Sequence, residues 1–213
     1  MGPAAKDGRR QRSVRTRARV VDAGERLFLD RGYLETTIEA VADVAGVAPQ
    51  TVYYVFGTKR NLLAAVLDAS IAGDVEPVAV LERPWFDEFG TADDPTSAVE
   101  RLVEASVAIL ARASPIYEVI RQAAADPDVG VLLQENRRRR RDDQRRLIEV
   151  LGRSGHLRPG LDVDTAADVF YGLLNEEVFL LLTGDCGWEV DRFRGWATSL
   201  MRHQLVAPEG SVT

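Results

Sequence analysis

Sulfur and imidazole chemistry are almost missing from this chain. A single cysteine, Cys186, stands among 213 residues. No disulfide can therefore close within the chain, which fits a reducing compartment. The two histidines, His156 and His203, lie far apart and lack metal-ligand spacing. No Gly-rich phosphate loop and no nucleophile motif occurs. The expectation is a protein that is not an enzyme, with no catalytic residues, no metal and no cofactor. Long apolar runs are lacking too: VFLLL, near residue 180, is too short to span a bilayer. The basic, polar N-terminus has no apolar h-region, so no secretion signal is expected. The chain reads as cytoplasmic, with no membrane partner. Alternating strand patterns are also absent.

What is there is ordinary globular material, 46% hydrophobic and 28% charged, with an uneven distribution of charge. The net charge is −6, yet residues 1–60 carry 11 Lys/Arg against 7 Asp/Glu, and the remainder 16 against 26. A basic front on an acidic body suits contact with a polyanion. A basic disordered arm would produce the same excess. Residues 1–12 are expected to form such an arm.

Helical periodicity dominates the rest. A first helix is expected from Ser13 to Asp30, apolar along Val14, Val20, Val21, Leu27 and Phe28, with Gly32 closing it. Thr37 caps a second helix whose inner face is Ile38, Val41, Ala42 and Val44. Ala45-Gly46-Val47 forms a tight corner, and Pro49 suits the first position of a third helix. Gly57 ends that helix, and Thr58 caps a fourth running to about Ala72. This is a helix-turn-helix followed by a connecting helix. In such a unit the second helix of the pair enters the major groove. With Val52 and Phe56 inward, Gln50, Thr51, Tyr53 and Tyr54 face outward. Gln pairs bidentately with adenine, and Thr reaches a base edge or a thymine methyl. Tyrosines in this position reach phosphates, as would Lys59 and Thr37 at helix starts. A helical corner that only packs remains the alternative.

Residues 17–63 closely resemble the N-terminal domain of the TetR family of transcriptional regulators. The resemblance rests on Leu27-Phe28, Gly32-Tyr33, Thr36-Thr37, the Ala42-x-x-Ala45-Gly46-Val47 corner, Thr51-x-Tyr53-Tyr54-x-Phe56 and Lys59-x-x-Leu62-Leu63. By position it implies DNA contacts at Thr37, Pro49, Gln50, Thr51, Tyr53, Tyr54 and Lys59. It also implies a homodimer on a near-palindromic operator of double-stranded DNA, released by a small-molecule effector. Two residues depart from the family's habit. Ala48 stands where a capping hydroxyl is common, and Glu39 where a basic residue often reaches DNA.

Beyond residue 73 come short irregular segments containing Pro77, Pro84 and Gly90. Three cap-plus-proline pairs then follow, Asp94-Pro95, Ser114-Pro115 and Asp126-Pro127, each expected to open a helix. Further helices are expected over 162–183 and 188–206. The fold is therefore all-α. Residues 13–72 form the TetR-type helix-turn-helix domain, and residues 73–208 a helical ligand-binding and dimerisation domain.

Candidates for an effector pocket are the aromatics Trp85, Phe86, Phe89 and Tyr117, with Asn136, Arg140, Phe170, Leu174 and Glu177. An internal Arg140–Glu177 ion pair would use two of the same residues. The last two helices are apolar on two sides, and the resemblance implies a four-helix dimer interface there, through Tyr171, Val178, Leu182, Phe193, Trp196, Leu200 and Met201. The run Arg137 to Arg141 wraps its helix and is expected to be a salt-bridged, solvated surface. A ligand-responsive repressor is the favoured function, and a helical adaptor for a protein partner is the other class.

Overall fold

The computed structural model describes residues 3–74 and 94–207. The irregular segments expected after residue 74, with Trp85, Phe86 and Phe89, lie outside these residues. Two compact units are present. One joins the N-terminal helices to Pro115–Gln134; the other runs through Ser114 and resumes at Glu135.

In the first unit, α1 (Pro3–Glu35) begins ten residues earlier than expected. Ser13 is not a cap, and the arm over 1–12 is helical from Pro3 onward. Proline suits a first helical turn, and the Ala, Lys, Arg and Gln that follow favour the helix. Gly32, at φ 76°, breaks the helical dihedrals near the end. Thr36 is fully buried there, its hydroxyl 2.8 Å from the Gly32 carbonyl and 3.1 Å from that of Leu27. The short helices α2 (Ile38–Ala45) and α3 (Pro49–Phe56) follow, then α4 (Lys59–Ala72), each bounded as the sequence predicts.

Val20, Val21, Leu27 and Phe28 of α1 are buried, as are Ile38, Val41 and Ala42 of α2, Val52 and Phe56 of α3, and Leu62, Leu63 and Val66 of α4. Two expected core residues are not among them. Val14 and Val44 are about half exposed, and Ala45 takes the inward position on α2. A Cβ on Gly24 would stand 3.4 Å from Leu62 and Val66, so α1 and α4 approach closely.

Beyond the head, α5 (Pro95–Gln122) starts on the Asp94 cap, whose carboxylate accepts from the Ser97 N–H at 2.9 Å. It then runs straight through Ser114-Pro115, where a new helix was expected. Pro115 withholds an N–H from the helix ladder. Buried Ala113, Ile116, Tyr117 and Ile120 keep the helical period on both sides, and packing overrides the local break. The division between the two units falls at this residue. Asp126 caps α6 (Pro127–Arg153) as expected.

In the second unit, the single helix expected over 162–183 is broken. α7 (Val163–Leu173) ends at Leu174, and Asn175 re-caps the chain by accepting from the Val178 N–H at 2.8 Å. A short α8 (Glu176–Leu180) and a π-helical turn (Leu181–Asp185) follow, then α9 (Val190–Leu205). The core of this unit gathers Leu102, Val103, Ile148, Leu151, Phe170, Phe193, Ala197 and Met201. Among the described residues no helix is long and apolar enough to cross a membrane.

Candidate nucleic-acid interface

The corner between α2 and α3 is built from both sides. Thr37 caps α2, its hydroxyl accepting from the Ala40 N–H at 3.1 Å. Gly46 closes α2 in the left-handed region, at φ 62° and ψ 44°, where a side chain would be strained. A Cβ there would also stand 2.9 Å from the Arg19 guanidinium. Arg19 reaches from α1 to donate to the carbonyls of Ala45 and, at 2.9 Å, Gly46. It thus ties the turn to the first helix. Arg17 lies 4.8 Å over the Phe56 ring and braces the end of α3. Both arginines lie on the first helix, beyond the expected arm over 1–12. Their structural use depends on contacts 26 and 27 residues away for Arg19 and 39 for Arg17.

On α3, Val52 and Phe56 are buried one turn apart, which turns the opposite face outward. Tyr54 is 92% exposed and Tyr53 48%, Gln50 is exposed and Thr51 partly so. Pro49 opens the helix, and Ala48 provides no side-chain cap, as its sequence implied. Glu39 finds a role: its carboxylate lies 3.5 Å from the Tyr53 hydroxyl. It steers that tyrosine from the first turn of α2, where a negative charge is also favoured by the helix dipole.

Lys59 is engaged differently from the expectation of a free phosphate ligand. Its ammonium donates to the carbonyls of Tyr33 at 2.8 Å and Leu34 at 3.4 Å, and it sits 4.2 Å over the Tyr33 ring. Partial burial holds its pKa below the usual lysine value, opposed by the charge of Asp126. The Tyr33 phenol is raised by burial first, then by Asp126 and Asp128. Lys59 therefore pins the exit of α1 to the start of α4. Only one N–H remains for anything else.

The expected pocket residues divide between the units. Tyr117 is buried in the first, while Asn136, Arg140, Phe170 and Leu174 are inward-facing in the second. Glu177 is corrected: it is exposed and pairs with Arg137 at 2.9 Å. The buried partner of Arg140 is its neighbour Glu176. The Arg140 guanidinium also lies 4.5 Å over the Tyr171 ring. Gln144 was missed. It is buried and donates to the Leu174 carbonyl at 3.3 Å. Its position four residues beyond Arg140, which is itself four beyond Asn136, was the available signal.

Two expected dimer residues, Phe193 and Met201, have no accessible surface because they fill their own unit's core. Tyr171, Val178, Leu182, Trp196 and Leu200 are only partly buried, and Leu181 is half exposed. The arginine run is salt-bridged as expected, but across helices, Arg141 to Asp168 at 2.6 Å, as is Arg145 beyond it, to Asp164 at 2.8 Å. Among the described residues no three His, Cys, Asp or Glu side chains converge on a metal position.

Comparison with known proteins places this head. Residues 20–66 match the model of bacterial regulatory proteins, tetR family. The HTH-type transcriptional regulator TtgR of Pseudomonas putida is 37% identical over 60 residues, 28% of this chain and 29% of that protein. The chain thus matches under a third of that relative's length. The HTH-type transcriptional repressor BepR of Brucella suis is 23% identical over 92% of this chain and 94% of its own. A transcriptional regulator from Saccharomonospora viridis, solved in complex with choline, has the same fold. It superposes with a TM-score of 0.66 over 90% of this chain and 98% of its own, at 22% identity.

Proposed function

We propose that this chain, which belongs to the TetR family through its N-terminal domain, is a sequence-specific DNA-binding repressor released by a small molecule. The observation that carries this is α3. It is held by Val52 and Phe56 while an almost bare Tyr54 and an exposed Gln50 stand on its outer face. A large aromatic left in water on a short, well-anchored helix suits a surface that is covered when a partner binds.

In this reading Gln50 and Thr51 meet base edges, and Pro49 starts the helix beside them. Thr37, Tyr53 and Tyr54 meet phosphates. Lys59 acts mainly through the fold, by keeping the start of α4 against the exit of α1. Two copies associate through the partly buried face of Tyr171, Val178, Leu182, Trp196 and Leu200. They set their α3 helices about one DNA turn apart, roughly 34 Å. A ligand that favours another spacing weakens DNA binding, typically by about 1–3 kcal/mol. A regulator of this kind works where the chromosome is, in the cytoplasm of a bacterium. The likeness to a repressor along almost its whole length supports the sign of regulation.

Binding-site selection on random DNA tests this directly. A two-fold symmetric motif is expected. Weak, sequence-blind retention at two salt concentrations would instead favour an adaptor that docks on a protein.

A further inference from the structure

α6 carries an unusual inner stripe. Asn136, Arg140 and Gln144 recur every four residues, so they share one face over about 12 Å of helix. Asn136 and Gln144 are more than nine-tenths buried, and the Arg140 side chain is 17% exposed. Apolar Leu132 and Leu133 precede them on the helix, and Leu147, Ile148 and Leu151 follow. A polar band is thus enclosed within an apolar stripe.

The band is balanced in charge and incomplete in hydrogen bonding. Arg140 is ion-paired with buried Glu176, and its guanidinium rests on Tyr171. Gln144 donates one amide N–H to the Leu174 carbonyl. Apart from the two atoms of the ion pair, two buried atoms of the band have no hydrogen-bond partner: the Arg140 Nε, a donor, and the Gln144 Oε1, an acceptor. They lie one turn apart on the same face. Buried polar groups are nearly always satisfied, so an unpaired donor and an unpaired acceptor one helical turn apart call for partners that the chain itself does not supply.

The ion pair says what kind. An anionic ligand on the open Nε–H would bring a second buried negative charge beside Glu176, with one guanidinium to balance both. A cationic ligand would do the reverse beside the guanidinium. An uncompensated buried charge of either sign is strongly unfavourable. An uncharged group offering both a carbonyl and an N–H would complete both open positions and leave the pair intact.

We propose, resting on the ligand-released regulator described above, that the effector is an uncharged amphiphile. Its head group is of the amide type and accepts from the Arg140 Nε–H while donating to the Gln144 Oε1. The apolar residues next along α6, Leu147 and Ile148, suit an apolar body.

Calorimetric titration of the full-length protein at pH 7 with octanamide, octanoate and octylammonium tests this with one tail length and three charges. Octanamide should bind at least tenfold more tightly than either ion. In Glu176→Gln the preference should move toward octanoate, and in Arg140→Gln toward octylammonium, each by at least tenfold. Equal binding of all three, a tighter ion, or no binding of any overturns the proposal. The wild-type order decides this even if the variants fail to fold. The titration contains no DNA. Octanamide binding without any selected DNA motif would therefore sink the regulator reading and leave the ligand class standing. A selected motif with no octanamide preference would do the opposite.

Discussion

Helices α3 and α6 both place polar side chains four residues apart, and they use them in opposite ways. On α3, Gln50 and Tyr54 stand in solvent above Val52 and Phe56. On α6, Asn136 and Gln144 are buried, and Arg140 between them is largely so, while Arg137, Arg138 and Arg139 face outward. The spacing says which residues share a face. It does not say which face is covered, because that depends on what packs against the helix. On α3 the covered face is apolar, as the hydrophobic effect favours. On α6 the covered face is partly charged, and only the Glu176 pairing makes this tolerable.

Four outcomes would break or sharpen this contrast, in falling order of effect. Phe56→Ala removes the anchor of α3 and should cost about 3–5 kcal/mol in urea melts, with loss of DNA retention. A small loss would mean that α3 is not held from beneath. Arg140→Met leaves Glu176 buried and unpaired and should cost about 3 kcal/mol, whereas Arg140→Met with Glu176→Leu should recover most of it. Failure of that recovery would place the cost in packing and not in charge. Lys59→Met should cost about 1.5 kcal/mol through the lost carbonyl bonds. It should change the salt dependence of DNA binding by less than one contact's worth. A full unit of slope would return Lys59 to the phosphate backbone. Gln50→Ala should leave stability within about 0.5 kcal/mol. It should relax selection at one base position by roughly 1–3 kcal/mol.

A fifth expectation separates the hydroxyl caps of α2 and α4 from the carboxylate caps of α5 and α7. Thr37 and Thr58 cap α2 and α4 with hydroxyls, which do not titrate in acid. The Asp94 carboxyl is held below its ordinary pKa by the Ser97 hydroxyl and then its N–H. The Asp162 carboxyl is held low by the Thr165 N–H and then its hydroxyl. Depressed carboxyl values mean stability that is present at neutral pH and lost as pH falls through the folded-state values, below about 4. Amide exchange at the starts of α5 and α7 should rise in that range before exchange at α2 and α4 does. The reverse order would show that the caps do not govern these ends.

Much of the head was legible because its signals are local. Thr37, Gly46, Pro49, Gly57 and Thr58 each act on backbone within about four residues, and the bounds of α2, α3 and α4 followed from them. Glu39 and Lys59 were harder, since their partners Tyr53 and Tyr33 come from other helices. In the body, Pro115 misled because packing across α5 outweighs a missing N–H. Asn175 carried a cap signal, Asn followed by two glutamates, inside an otherwise continuous apolar pattern.

By itself, the sequence determined that the protein is helical, where the helix-turn-helix lies and which residues its second helix turns outward. These follow from periodicity and from caps that act within one turn. Only the tertiary structure decided that Arg19 clamps the corner, that Lys59 holds α1 against α4, that Glu176 rather than Glu177 meets Arg140, and that Phe193 and Met201 belong to their own core. Each of these is a choice among several chemically equivalent partners. Distance in the folded chain makes that choice, and no local pattern encodes it.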